Sequence, residues 1–279
     1  MVTDHRSSAA ADIVVRQLEG NAEYRACVEL QELTWGAGFH ERVPPAMLLI
    51  AQKMGGIAAG AFDRAGRLLG FVYGLTGVRK GRLSHWSHML AVRPEAQGFG
   101  LGRRLKLYQR EMLLPLGVET VYWTYDPLVA RNANLNFNRL GVEVEEYVRD
   151  LYGPDTASEL HSGLGTDRFI VTWRIGSPLV EATISGASPP SLPLPNAPVV
   201  GADRGDDPLP RDALVTVEIP ADIHALLARD RDRAWEWRLA TRQAFTWYLA
   251  QGYRVLGFAL DRAAGRGRYL MASSERSHV

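Results

Sequence analysis

The clearest chemistry in the chain sits at Gln97-x-x-Gly100-x-Gly102, with Gly98 and Phe99 inside the motif and Leu101 and Arg103 closing it. Residues 85–92 before it read as a strand. From Gly100 the pattern turns helical, with Leu101, Leu105, Tyr108 and Met112 on one stripe. Glycines let the main chain approach a ligand with no Cβ in the way. A helix start adds unpaired N–H groups and partial positive charge. Together they hold an anion. Arg103, Arg104 and Lys106 either add contacts to phosphate or form an ordinary solvated helix face. Two phosphate loops are excluded. No Gly-Lys-Ser/Thr follows the glycines, and the dinucleotide pattern needs a third glycine at position 103, where arginine stands.

Proton-transfer candidates lie close by. His85 and His88, three apart on a strand, face opposite sides. His88 shares the side of Leu90 and Val92 unless a bulge intervenes. A histidine here either accepts a proton near neutrality or is a hydrogen-bonded structural group. Asp126 ends the strand read over 118–125, just before Pro127. It either binds a cation or relays a proton, or it caps a turn. Asn132, Asn134, Asn136 and Asn138 crowd one short helix against their propensity. Helical spacing puts Asn134 with Asn138 on one face and Asn132 with Asn136 on another.

These residues need a scaffold, and the composition allows one. The chain has 279 residues, 46% of them hydrophobic, with a formal charge of +1. That balance excludes a nucleic-acid-coating surface. Cys27 is the only cysteine, which excludes an internal disulfide and a cysteine zinc site. No metal site is indicated. Residues 1–12 lack the apolar core of a signal peptide, and no run approaches the ~20 apolar residues of a membrane helix. A soluble cytoplasmic protein with no membrane partner is expected.

The expected order is a loose tail at 1–11, a strand at 13–18, a helix at 22–35, a helix opened by Pro44 or Pro45 and running to 53, and a hairpin of strands 57–62 and 68–75. Strand 85–92, helix 100–114, strand 118–125, helix 130–140, strand 142–148, a polar loop at 153–167 and strand 168–175 follow. Residues 177–212 hold eight prolines and read as a stiff extended linker. Beyond it, 213–279 reads as a strand, one long helix capped by Asp222 and running to about 251, and a hairpin. This unit is small for an independent core. It is expected to dock on the first domain, 12–176, or on a second copy as a homodimer arm.

The strand ending Leu90-Ala91-Val92-Arg93-Pro94, the glycine motif and the following helix resemble the acyl-CoA pyrophosphate loop of the GNAT superfamily of N-acyltransferases. The element order over roughly residues 12–176 resembles that fold too. The resemblance implies an α/β protein of the α+β type, with a mixed, mostly antiparallel sheet splayed between strands 85–92 and 118–125 and flanked by helices. The C-terminal strand-helix-strand-strand unit is added to it. It implies acetyl-CoA or another acyl-CoA as co-substrate, held by Gln97, Gly98, Phe99, Gly100, Leu101, Gly102 and Arg103. The pantetheine arm would run along the backbone of Leu90 and Val92, with the thioester carbonyl polarised near Leu90. Asn132 and Asn134 would point toward the pantetheine amides or the acceptor. The reaction implied is direct acyl transfer to the amine of a small molecule, with His88 and Asp126 as catalytic candidates. The chain departs from the family at one point. The tyrosine that meets the leaving thiolate falls, counting back from Gly141, on Phe137. Tyr125, Tyr147 or water would have to replace it. The alternative is a non-catalytic CoA-binding regulatory or interaction protein. The acceptor is not marked in the sequence.

Overall fold

A computed structural model describes residues 12–153, 163–187, 197–205 and 207–274. The tail at 1–11 and the middle of the proline-rich segment lie outside the described residues. The chain divides into two compact units, one built on residues up to 123 with 174–176, the other on 124–153, 163–173 and the residues from 177 onward.

The first unit opens with β1 (Val14–Gln17), α1 (Gly20–Trp35), α2 (Pro45–Lys53), β2 (Ile57–Phe62), β3 (Leu68–Arg79) and β4 (Arg82–Val92). After a short 3₁₀ turn come α3 (Leu101–Leu113) and the start of β5 (Thr120–Tyr125). Strands β1 to β4 form an antiparallel meander, and β5 joins β4 in parallel. Proline at its first turn starts α2, as expected. Strand β2 is buried along its whole length and built largely of Ala and Gly, so elements can pack closely on both its faces. One face of the sheet meets α1 and α2 through Tyr24, Cys27, Leu30, Leu48, Phe71, Tyr73 and Met89. The other face meets α3. There the buried stripe is Leu101, Leu105, Gln109 and Leu113 together with Lys106. Tyr108 and Met112, expected on that stripe, are half-buried and exposed respectively. The strand facing α3 carries polar groups, so the helix buries polar groups against them.

The second unit contains α4 (Ala130–Leu135), β6 (Glu143–Val148), β7 (Arg168–Arg174) and α5 (Pro178–Ser185). Then follow β8 (Val199–Val200), β9 (Leu214–Pro220), α6 (Ile223–Arg229), α7 (Arg231–Ala250), β10 (Tyr253–Asp261) and β11 (Arg266–Ser273). Its C-terminal sheet has the order β10-β11-β9-β8. Three expectations are corrected. The helix read over 130–140 is α-helical only to Leu135, and Asn136–Leu140 continues as a π turn that Gly141 ends in the left-handed region. The proline-rich segment is not wholly extended. Pro178 takes the first position of α5, where its missing N–H costs nothing, and Ser177 caps it. The long C-terminal helix is two helices. Asp230 is extended, and its side chain accepts from the Arg233 N–H at 3.0 Å, so it caps α7 where a single helix was expected to run through.

The C-terminal elements do not stand alone. Phe245 and Tyr269 pack edge-on against Phe169, with ring centres 4.6 and 5.7 Å away, and Tyr269 also meets Phe137. These contacts join the C-terminal elements to residues 137 and 169 within the same unit. No helix of the described residues is long and apolar enough to cross a membrane.

Candidate acyl-CoA and acceptor site

The glycine loop is held from both ends. The Arg93 N–H bonds the Leu69 carbonyl, and the Gln97 side chain returns to the carbonyl of Val92 at 3.3 Å. Gly98 and Gly100 have φ of 90° and 71°, a region glycine enters freely. Gly100 precedes α3, and the first helical bond there runs from the Arg104 N–H to its carbonyl. Among the described residues, the N–H groups of Gly98, Phe99, Gly100, Leu101 and Gly102 have no backbone acceptor. Gln97, Gly98 and Gly100 are exposed. This is an open, donor-rich helix start, the geometry that receives a phosphate. Arg104 is turned away, its guanidinium bonded to the carbonyl of Ile13.

Strand β4 leads from this loop into the sheet, and its pairing is broken in two ways. Against β3, Tyr73 pairs with Met89 but Gly74 pairs with Ser87, so His88 is an extra, bulged residue. Against β5, only Ser84, His85 and Trp86 pair, with Thr120, Val121 and Tyr122. From Ser87 to Val92 that edge of β4 has no ladder partner on β5. Gly74, opposite the bulge, has no room for a side chain: a Cβ there would lie 2.2 Å from His85 Nε2.

The bulge shifts the alternation of side chains. Before it, His85 and Ser87 face α3; after it, Met89 and Ala91 face α1 and α2. His88 therefore stands on the α1 and α2 side with Trp86 and Tyr73, and not on the side of the Leu90 and Val92 side chains, where an unbulged strand would put it. It is exposed and borders a cavity of about 230 Å³ with Arg42, Val43, Pro44, Met47, Tyr73, Leu75 and Trp86. Crowding by its neighbours lowers the His88 pKa below the ordinary histidine value, partly countered by the charge of Glu41. The Arg42–Pro44 wall is pinned by buried Gln31, which accepts from the Val43 N–H at 2.8 Å and donates to its carbonyl at 3.2 Å.

His85 has a different fate. Thr76 gives its hydroxyl proton to the Gly55 carbonyl, so it can only accept from His85 Nδ1, 2.9 Å away. The Gln109 amide nitrogen donates to His85 Nε2 at 2.9 Å. The ring is thus neutral with its proton on Nδ1. Burial, and then the neighbouring Lys106, push its pKa down to about 3. Lys106 completes the network. Its Nζ lies 2.7 Å from Ser87 Oγ and 3.7 Å above the Trp123 ring, at 4% exposure with no acidic partner among these contacts. The sequence left Lys106, with Arg103 and Arg104, as either a phosphate contact or part of a solvated helix face; a single polar residue inside a helical stripe gives no local sign of burial. Desolvation lowers its pKa well below the ordinary lysine value. A folded value below the unfolded lysine value of about 10.4 makes stability rise with pH through the interval between the two, by up to about 1.4 kcal/mol per unit. Lys106→Met is expected to flatten that part of the stability-pH slope in denaturant melts.

The remaining candidates belong to the second unit. Asp126 accepts from Arg238 Nη2 at 2.5 Å and from the Leu128 N–H at 2.9 Å, with Arg168 Nη1 3.7 Å away. Burial works against its charge, but Arg238 and Arg168 outweigh it and hold the pKa below the ordinary carboxylate value. Asp126 is thus both a turn cap and the centre of a buried ion cluster, and its partner Arg238 had no visible link to it in the sequence. Asn134 and Asn138 do share a face. Asn138 donates to Asn134 Oδ1 at 2.9 Å and to the Phe258 carbonyl at 3.0 Å, so one asparagine face serves packing. Asn132 is half-buried. Phe137 lies buried against Tyr269. The two candidate replacement hydroxyls are committed elsewhere: Tyr125 to Tyr269 at 3.4 Å, and Tyr147 to Asp167. Burial raises the pKa of both, and neither is placed as a ready acid.

No family model and no curated protein matches the chain. Solved structures do resemble it. A GNAT-family acetyltransferase from Streptococcus pneumoniae is 16% identical, with a TM-score of 0.45 over 57% of this chain and 97% of its own. A putative acetyltransferase from Salmonella typhimurium with acetyl-CoA is 17% identical, with a TM-score of 0.46 over 59% of this chain and 95% of its own. A phosphinothricin acetyltransferase from Sinorhizobium meliloti in complex with acetyl-CoA is 18% identical, with a TM-score of 0.46 over 58% and 87%. Independently of these, the antiparallel meander, the bulge in β4, the short β4–β5 ladder and the glycine loop before α3 make up the GNAT-like arrangement that the sequence resemblance implies.

Proposed function

We propose that this chain is an acyl-CoA-dependent N-acyltransferase. The observation that carries the reading is the coincidence, on one strand, of a β4 edge left unpaired beyond Trp86 and a helix start with open amides from Gly98 to Gly102. The acyl-CoA-binding part is proposed to span 12–176. The pyrophosphate would take the amides of the 97–103 loop. Backbone groups of Leu90 and Val92 would pair with the pantetheine arm and polarise the thioester carbonyl, an electrostatic role that needs no side chain. Asn132 and Asn134 are proposed for the pantetheine amides, Asn134 through the groups its bond to Asn138 leaves over.

His88 is the proposed base. It borders the cavity on the same strand, two residues from Leu90. The amine nitrogen attacks the thioester carbon, the C–N bond forms, the C–S bond breaks, and His88 takes the amine proton. The leaving sulfur departs as thiolate. An ordinary thiol has a pKa near ~8.5, so water suffices to protonate it and Phe137 is tolerable. Asp126, occupied by arginines, is proposed as an anchor instead of a base.

In His88→Ala, thiol release from acetyl-CoA with an accepted amine is expected to fall by ~10²–10⁴ in kcat, the usual worth of a general base. Because the pKa of His88 is lowered, the wild-type rate is expected to rise with pH from below the ordinary histidine value, and His88→Ala should lose that acid limb. A variant that keeps both the rate and the limb would remove His88 from the mechanism.

A further inference from the structure

We infer that the cavity beside His88 selects acceptors with one amine on an apolar or aromatic body, and rejects polycations; this rests on the transferase reading above. At about 230 Å³ the depression falls below the ~300 Å³ at which pockets for drug-sized ligands begin, and it is open to solvent, so it offers one small apolar wall and not an enclosed chamber. Six of its eight lining residues are apolar or aromatic, among them Met47, Tyr73, Leu75 and Trp86. Tyr73 and His88 meet edge to face at 6.2 Å, which sets an aromatic wall directly beside the proposed base. The charged groups are few and mostly answered. Arg42 is paired with Glu32, and among the described residues the lining holds no carboxylate. Among the described residues, the acidic charge acting on His88 is that of Glu41, outside the lining.

This arrangement suits a single amine whose ammonium form is drawn toward Glu41, gives its first proton to bulk water, and reacts as the neutral amine beside His88. The body of such a molecule gains by covering Met47, Leu75 and Trp86, whose apolar surface would otherwise face water. A second or third ammonium held against this apolar wall meets no carboxylate among the described lining residues. Desolvating an unpaired cation is costly, so polyamines and amino sugars are disfavoured.

The test uses the full chain with acetyl-CoA, phenethylamine and spermidine, reading free thiol, and calorimetry with phenethylamine on the CoA-loaded protein. Leu75→Glu and Met47→Glu each put a carboxylate on the wall at a side chain already 44% and 41% exposed, and thermal unfolding checks that both remain folded. Wild type is expected to prefer phenethylamine at least tenfold in kcat/KM. Each variant should weaken phenethylamine at least fivefold and narrow its lead over spermidine. Equal or better use of spermidine by wild type, or an unaltered response to phenethylamine in both variants, overturns the selection rule while leaving the transferase reading intact. Saturable phenethylamine binding that both variants weaken, without thiol release from any amine, supports the rule for the cavity and sinks the transferase reading instead.

Discussion

Asp126→Asn is expected to destabilise the protein by about 3–5 kcal/mol, the cost of leaving a buried ion pair without one partner. The substitution keeps the side-chain shape and removes the charge. Arg238 is wholly buried and directs Nη2 at Asp126, while its Nη1 has no hydrogen-bond partner among the described residues. Arg168, at 3% exposure, draws on the same carboxylate. Without it, two guanidiniums share a desolvated space with only the charge of Asp167, already bonded to Arg242, acting on them. The pH dependence follows from the lowered pKa. Asp126 contributes stability that is fully present above the unfolded aspartate value of about 3.9 and is lost as pH falls through the folded value. Urea melts of wild type and Asp126→Asn should therefore differ most at neutral pH and converge in acid. A difference below about 1 kcal/mol at pH 7 would show that the cluster is not held by this charge.

Gly100→Val is expected to lower CoA affinity at least tenfold, about 1.4 kcal/mol, with a comparable loss of stability. At φ of 71° an L-residue costs roughly 1–2 kcal/mol, and a β-branched one is the worst fit. No protein atom lies within 4 Å of a Cβ built there, so the added methyls would occupy only the space through which an anion reaches the amides. Gly117→Val is the matched control. Gly117, just past the other end of α3, has φ of 78° and equally open surroundings, so it carries the same strain with no bearing on the loop. Calorimetry with CoA should separate them: both lose stability, but only Gly100→Val loses the ligand. If both bind CoA alike, the loop is a structural turn.

What could be read from the chain follows the range of the forces involved. The glycine loop, the hairpin across Asp63 and Gly66, the proline start of α2 and the Asp222 cap depend on neighbours a few residues away, and all are where local chemistry puts them. The side of β4 on which His88 stands was not legible, because one extra residue reverses the alternation and nothing in the types of Ser87, His88 and Met89 announces it. Asp126 looked free because its arginine is 112 positions away. Lys106 looked solvated because its partners Ser87 and Trp123 come from two strands folded under it. Asp230, a solvated charge by type, turned out to divide a helix because a capping carboxylate competes well with one more helical residue.

The aromatic packing of the second unit also bears on how the chain is made. Phe169 cannot find Phe245 or Tyr269 until those residues have been synthesised, about 100 residues later. At ~5–20 residues per second, the stretch around it waits on the order of 5–20 s at the ribosome with its rings uncovered. For that interval the nascent chain offers a sticky surface that the finished protein conceals, so slowing translation between Phe169 and Tyr269 should favour aggregation during expression even though the mature fold is unaltered.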